Sequence, residues 1–372
     1  MSVDRSIPKH LHSLDVLRGV AALSVVFWHW QHFFYDGHYL NPHFRSGQQP
    51  LYFMFMLLYE YGYLAVDLFF CLSGFVFFWL YTEKISTRQI SGKEFFILRF
   101  SRLYPLHFVT LLLVTVGQLV YWSIAGTTFV YVKNDLYHFV LHLCFLSNVG
   151  LETGLSFNGP VSSVSIEVVL YTIFFVLCRL VRPRALVALA VSLAGFILLR
   201  KVNQPVSLGV GAFFLGGCVY YLYRYLLAVR ARVALTRAIA IGALLSWDVV
   251  ILAMFVDLSE VSVLRWYAEF ALFPVTILAL ALAETDRGPL WARFKLLGDI
   301  SYSTYLLHFP LQLLVAIVAI SAWVPRATFL SPVALLAFFA ALIGVAVLSH
   351  RYFEMPMQRW LRSRALASPA RS

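Results

Sequence analysis

Charge is what this sequence lacks. Only 13% of its 372 residues are Asp, Glu, Lys or Arg, against about a quarter in soluble domains, and 61% are hydrophobic. That balance excludes a water-soluble globular fold. Acids are the scarcer sign, 18 against 29 Lys and Arg, which leaves a formal charge of +11. The cations sit in short loops between apolar runs and do not line one soluble face, so the excess reads as membrane orientation and no nucleic-acid partner is expected. Cysteine is scarce as well. Cys71, Cys144, Cys178 and Cys218 lie inside apolar runs with no CxxC and no histidine at metal-ligand spacing; they read as packing residues, and no metal centre is expected. No cleavable signal peptide is expected either, because the first apolar stretch carries Arg18 and His29, too polar for a signal core, and is expected to remain as the first helix.

Long apolar runs are abundant. Stretches of the length that crosses a bilayer, about 17 to 25 residues, occur near 14–35, 60–81, 103–123, 163–181, 184–200, 206–226, 236–257, 266–284, 300–320 and 331–350. Aromatic residues, 17% of the chain, suit both interfacial anchors and an interior. A further run at 136–150 is short and carries His138, His142 and Asn148. Loop charges decide whether it spans. If it does not, Arg5 and Lys9, the cations of 83–102, 179–184, 224–237 and 287–295, and the tail from Arg351 all fall on one side, the cytoplasm. If it does, the arginines of 179–184 and 224–237 move outside. The expectation is therefore an all-α polytopic membrane helix bundle of about ten transmembrane helices, with a re-entrant or interfacial segment near 134–162 and both termini cytoplasmic. Residues 1–360 form one membrane domain in this reading, and 361–372 a basic, disordered cytoplasmic tail.

In such a chain the informative residues are the ionisable ones inside the spans, where each costs a few kcal/mol or more unless paired or hydrated. Asp15 precedes Arg18 by three positions, so the two can pair on one helix face. His29 follows Arg18 by eleven, about three turns, which puts both on one face about 16 Å apart along the axis. As a bare spacing such a pair is expected about once by chance in this composition; its place inside a span strengthens it. Asp67 lies near the outer half of the second span, where it either partners a histidine or caps the helix, and Ser73-Gly74 beside it permits close backbone approach. Glu167 is placed to orient or reprotonate an imidazole or to satisfy a helix N-terminus. His308 sits near mid-membrane with Ser301, Tyr302 and Tyr305 below it, in a structural or a functional role. Arg99 and Arg102, one turn apart, suit a phosphate or pyrophosphate through bidentate bonds, or anchor the span on the positive side.

These residues sit in recognisable blocks. From Leu11 to about Trp360 the chain resembles the acyltransferase 3 family of bacterial membrane acyltransferases. LHSLDVLRGVAALSVVFWHW is similar to that family's opening signature, and LAVDLFFCLSGFVFFW to its VDLFFVLSGF block. LRFSRLYPLH, NGPVSSVSIEVVLY, ISYSTYLLHFPL and LSHRYFEMP match four further blocks in order. One departure is visible: the usual Trp of the WSLSxE block is Ser162, which removes an aromatic surface for stacking at that point.

The resemblance implies an enzyme of the inner membrane that takes an acyl group, usually acetyl, from acetyl-CoA or another acyl-CoA and delivers it to a hydroxyl of a glycan or glycolipid acceptor at the outer side. It implies the stand-alone form, without an extracytoplasmic hydrolase-like domain. On that pattern His29 is the catalytic residue, Glu167 an acid of the site, and Arg18, Arg99 and Arg102 donor-binding residues. The expectation for the mechanism is that Glu167 or Asp67 holds the His29 tautomer, and Ser163, Ser165, Tyr302 and His308 are further site candidates. The rival reading from another class is a proton-coupled transporter or flippase, in which intramembrane His, Asp and Glu form a proton relay.

Overall fold

A computed structural model describes residue 8 and residues 10–198, 201–255 and 261–366 of the chain. Expectations that fall on residues 199, 200, 256 and 257, on Arg5 and Lys9, or on the tail from 367 lie outside the described residues. Of the described residues 81% are helical. Its helices run α1 (His12–Trp28), α2 (Tyr52–Tyr61), α3 (Ala65–Ser86), α4 (Gly92–Ala125) and α5 (Leu136–Leu143). There follow α6 (Ser162–Leu180), α7 (Ala185–Ile197), α8 (Gln204–Leu227), α9 (Arg232–Phe255) and α10 (Val261–Tyr267). The last five are α11 (Phe273–Arg287), α12 (Lys295–Asp299), α13 (Ser301–Ser321), α14 (Pro332–Ser349) and α15 (Met355–Leu366). A two-residue hairpin, Tyr35–Asp36 with Tyr39–Leu40, is the sheet found among the described residues.

Among the described residues eight helices are long and apolar enough to cross a membrane, which makes this an all-α polytopic membrane protein. Two of the ten expected spans correspond to shorter helices. α1 has 17 residues and passes at His29 into a 3-10 turn, His29–Phe34, while α7 has 13. α4 begins eleven residues before the expected 103, because Ser91 caps it: its hydroxyl accepts from the Glu94 N–H at 3.1 Å. Its 34 residues reach about 51 Å, beyond an apolar thickness of about 30 Å. Arg99 and Arg102 consequently lie within the helix and not in a loop. The 8 residues of α5 rise about 12 Å, too short to cross. α9 has only 11% of its apolar window buried within the protein, a face that a bilayer covers and water would not tolerate.

The chain divides into two compact units. One gathers the chain up to Ala21 with Leu64–Thr82 and Arg182–Asp299. Small residues set its packing. A Cβ on Gly74 would overlap the Phe213 carbonyl and one on Gly216 the Cys71 carbonyl, so α3 and α8 touch backbone to backbone. The Ser73-Gly74 expectation is met there. α7 and α8 approach likewise at Gly195 and Gly211, where Ser192 Oγ donates to the Gly211 carbonyl at 2.8 Å and Ser207 Oγ to the Gly195 carbonyl at 2.5 Å. The start of α1 is capped by a distant acid: Glu284 of α11 accepts from the His12 and Ser13 N–H groups at 2.9 and 2.8 Å.

The other unit gathers Ala22–Tyr63, Glu83–Val181 and the chain from Ile300. α13 packs on α4, and α4 also packs on α15. α15 continues helical through Leu366, so the first six residues of the expected disordered tail are ordered; Arg362 of that stretch donates to Ser101 Oγ at 3.0 Å and to the Leu98 carbonyl at 3.3 Å. Backbone groups of the segment 126–161, which contains α5, are met by side chains, as non-helical backbone near a membrane requires. Gln118 clasps Phe129, accepting from its N–H and donating to its carbonyl, both at 2.9 Å. Asn134 Oδ1 accepts from the Phe157 N–H at 2.6 Å, and Asn158 Nδ2 donates to the Leu306 carbonyl at 3.1 Å.

Candidate functional site

His29 opens the 3-10 turn that prolongs α1, and it is 5% exposed. A 3-10 helix has three residues per turn, so positions i and i+3 eclipse. His32 therefore lies beside His29, with ring centroids 4.7 Å apart and ring planes tilted by 49°. α13 presents His308 and Gln312, spaced i, i+4 on one helix face and both fully buried. His308 Nε2 lies 3.3 Å from His29 Nδ1, and the two ring centroids are 5.0 Å apart. Gln312 Nε2 donates to the His29 carbonyl at 2.9 Å, while its Oε1 meets His32 Nδ1 at 3.1 Å. Three imidazoles and one amide thus form one hydrogen-bonded cluster.

A second cluster lies in the same unit. Tyr171 donates its hydroxyl to Glu167, four residues earlier on α6, and the Arg99 guanidinium sits 5.9 Å from the centroid of the Tyr171 ring. Arg102 is within electrostatic reach of Tyr171, Tyr302 and Glu354. Tyr302 donates to the Leu103 carbonyl at 2.6 Å. Ser163 and Tyr305 share a hydroxyl–hydroxyl bond of 2.7 Å, and Tyr305 also donates to the Pro160 carbonyl. Glu354, in a π-helical turn at His350–Glu354, accepts from Ser303 and, at 3.2 Å, from Ser349. Two arginines, two acids and three tyrosines from α4, α6, α13 and the turn before α15 therefore converge, and the two guanidiniums are donors able to hold phosphate oxygens.

The family model described as an acyltransferase domain matches residues 11–351. The chain belongs to the acyltransferase 3 family. A protein of Rhizobium radiobacter described as "Protein 2 in picA locus" is 38% identical over 111 residues, which cover 30% of this chain and 47% of that protein. The chain thus spans about half the length of the curated relative it matches. No solved structure matches it.

The remaining residues that the acyltransferase 3 blocks singled out have other partners. Asp67 accepts from Arg265 at 3.0 Å, and Arg265 also grips Glu269 at 2.8 Å. This buried carboxylate–guanidinium–carboxylate set closes on a π-helical turn at Ala268–Leu272. It lies in the unit that does not contain His29, so the expectation that Asp67 partners a histidine gives way to an ion pair; a charge in a membrane interior is held by the nearest strong counter-charge. Glu167, the other acid expected to orient His29, instead receives the Tyr171 hydroxyl, its i+4 neighbour. Ser165 accepts from the Ser147 N–H at 3.2 Å and bonds the Ser147 hydroxyl at 2.8 Å, holding the segment 126–161 to α6. Ser162, at the family's usual Trp, is buried in the first turn of α6.

Arg18 pairs with Asp15 at 2.9 Å as expected, and His10 Nε2 lies 2.6 Å from the same carboxylate. His10, His12 and Asp15 have ligand atoms within 4.8 Å of one another and could hold a metal ion. A cation there has to displace His10 or Arg18 from Asp15. Sequence reasoning missed His32, Gln312, Tyr171, Arg265, Glu269 and Glu354 as members of these clusters. For most of them a signal was present: His29–His32, His308–Gln312, Glu167–Tyr171 and Arg265–Glu269 are i, i+3 or i, i+4 pairs inside apolar runs.

Proposed function

We propose that this chain is a membrane O-acyltransferase that moves an acyl group, acetyl first among them, from acyl-CoA on the cytoplasmic side of the inner membrane to a hydroxyl of a glycan or glycolipid acceptor on the outer side. The observation that carries this reading is the buried His29 imidazole, whose Nδ1 lies 2.9 Å from the Val25 carbonyl, in a chain of the acyltransferase 3 family. Since a carbonyl only accepts, Nδ1 bears the proton and Nε2 carries the lone pair, which is the form a general base requires. The acceptor hydroxyl gives its proton to Nε2 as its oxygen forms the new C–O bond at the thioester carbon. The C–S bond then breaks, and the sulfur leaves with the proton returned by the imidazolium as free CoA. Arg99 and Arg102 hold the phosphates of the donor, with Glu167 and Tyr171 fixing Arg99, and Arg18 is a further donor-binding cation. Asp67 has no catalytic part in this reading.

Labelled acetyl-CoA supplied to one face of proteoliposomes, with membrane extracts rich in glycolipid as acceptor, tests the proposal. The expected outcome is release of free CoA together with label on the acceptor, both lost in His29→Ala. Label crossing the membrane without CoA release would instead establish the transporter reading.

A further inference from the structure

The hydrogen-bond geometry around His29 fixes more than one proton, because each of three imidazoles is tied to a group of known polarity. His29 Nδ1 faces the Val25 carbonyl at 2.9 Å and His308 Nδ1 faces the Tyr305 carbonyl at 2.6 Å. Carbonyl oxygens accept and never donate, so both Nδ1 atoms are protonated and both Nε2 atoms carry lone pairs. The 3.3 Å contact between His308 Nε2 and His29 Nδ1 is then a second, longer share of the His29 proton. The Gln312 amide has one possible orientation for the same reason: its nitrogen must face the His29 carbonyl at 2.9 Å. Its oxygen therefore faces His32 Nδ1 at 3.1 Å, which makes that nitrogen a donor too. Backbone carbonyls determine every tautomer in the cluster, with no ambiguity left in the amide.

Position matters as much as protonation. His29 stands where α1 gives way to the 3-10 turn, and a turn of that kind has poorer hydrogen-bond geometry than an α-helix and runs only a few residues. Gln312 spans that turn with both ends, one on its first residue and the other on its fourth, from a rigid helix. Its side chain is fully buried, so no water competes for these bonds.

Resting on the acyltransferase reading, we infer that Gln312 and His308 are positioning residues for His29: Gln312 docks the 3-10 turn onto α13, and His308 takes the second share of the Nδ1 proton, so that Nε2 is held as a lone-pair base in one orientation. His32 completes the clasp from the turn's side. Neither α13 residue touches the reacting atoms.

Full-length protein reconstituted in nanodiscs allows two measurements on the same variants. Imidazole ¹⁵N NMR, with the His29 signals assigned from their loss in His29→Ala, reads the tautomer directly; CoA release from acetyl-CoA reads kcat and KM. Wild type is expected to show His29 as the single Nδ1-protonated tautomer. Gln312→Met, which keeps length and loses both bonds, is expected to mix the His29 tautomers and to lower kcat about 10- to 100-fold, a part of the whole contribution of a general base. His308→Leu is expected to do the same in smaller measure, with the acetyl-CoA KM within about twofold in both variants. His308→Gln returns an acceptor to the His29 proton and is expected to recover most of the loss, a rescue that a mere packing role would not produce. An unchanged tautomer, or a kcat within about twofold of wild type in Gln312→Met and His308→Leu, overturns the inference. If Gln312→Met does not accumulate as folded protein, the His308→Leu and His308→Gln pair decides alone. Should His29→Ala leave CoA release intact, His29 falls as the base and its positioning with it; should wild type release no CoA, the acyltransferase reading falls while the tautomer measurement still judges how His29 is held.

Discussion

Two buried polar clusters, one in each compact unit, solve the cost of polarity inside a membrane in opposite ways. Around His29 the groups are imidazoles, an amide and carbonyls, joined by directional bonds of 2.6 to 3.3 Å. Around Asp67 they are full charges: Arg265 between the carboxylates of Asp67 and Glu269 at 3.0 and 2.8 Å. Directional bonding between uncharged groups ties down the His29 Nδ1 proton and leaves the Nε2 lone pair, and that lone pair is where a proton can go. Opposed full charges consume their own capacity in holding each other. The first arrangement is suited to chemistry and the second to holding helices α3 and α10–α11 together. Activity should therefore depend on the first cluster and stability on the second.

The largest expected effect tests the first half of that contrast. His29→Ala is expected to cut CoA release by about 10²–10⁴-fold, the usual range for a lost general base, with little change in the melting temperature in detergent. A large fall in melting temperature with activity retained per folded molecule would make His29 a structural residue and remove the contrast. Arg265→Met tests the other half. It leaves two buried carboxylates without their counter-charge, a loss of about 3–5 kcal/mol in stability, seen as early thermal unfolding, while the folded fraction keeps its kcat. Replacing Asp67, Arg265 and Glu269 together by apolar residues of similar volume is expected to restore most of that stability.

Arg102→Ala sharpens the boundary between the His29 cluster and the arginine–acid–tyrosine cluster beside it. Loss of one charge-assisted phosphate contact is expected to raise the acetyl-CoA KM about tenfold with kcat nearly unchanged, measured by CoA release at varied donor. The reverse pattern would place Arg102 in the chemical step.

The smallest effect is a pH dependence in the segment around α5. His142 on α5 donates to the Ser156 carbonyl at 3.0 Å, and burial, reinforced by the neighbouring His107 imidazole, holds its pKa down at about 3, against about 6.5 for an exposed histidine. Because the folded value is the lower one, the unfolded segment takes up the proton first. The stability that neutral His142 provides is complete above pH ~6.5 and drains away as the pH falls from there toward 3. The protection of residues 136–157 from hydrogen–deuterium exchange, taken relative to the intrinsic amide rate at each pH, is expected to weaken between pH 7.5 and pH 5, about the window in which a free histidine charges, and to lose that dependence in His142→Gln. Equal protection at both values in wild type would mean that the ring is not what holds the segment.

Composition and periodicity alone determined that the chain is an all-α membrane protein, because apolar runs of spanning length have one stable form in lipid, the helix that satisfies its own backbone. The count of loop cations also kept 134–162 from being read as a span, and the short α5 agrees. The ordered blocks placed the chain in its family, and local spacing sufficed for the Asp15–Arg18 pair, since i, i+3 neighbours on a helix meet whatever lies around them. Partners across the fold were another matter. That His29 would find Gln312, 283 residues away, that Asp67 would find Arg265, 198 away, and that Glu167 would serve Tyr171 and not an imidazole are choices between chemically equivalent acids and histidines, and a sequence carries no distance between them. The tertiary structure made those choices. It did so because helix packing decides which side chains share a buried volume, and burial decides that those which do must bond to one another.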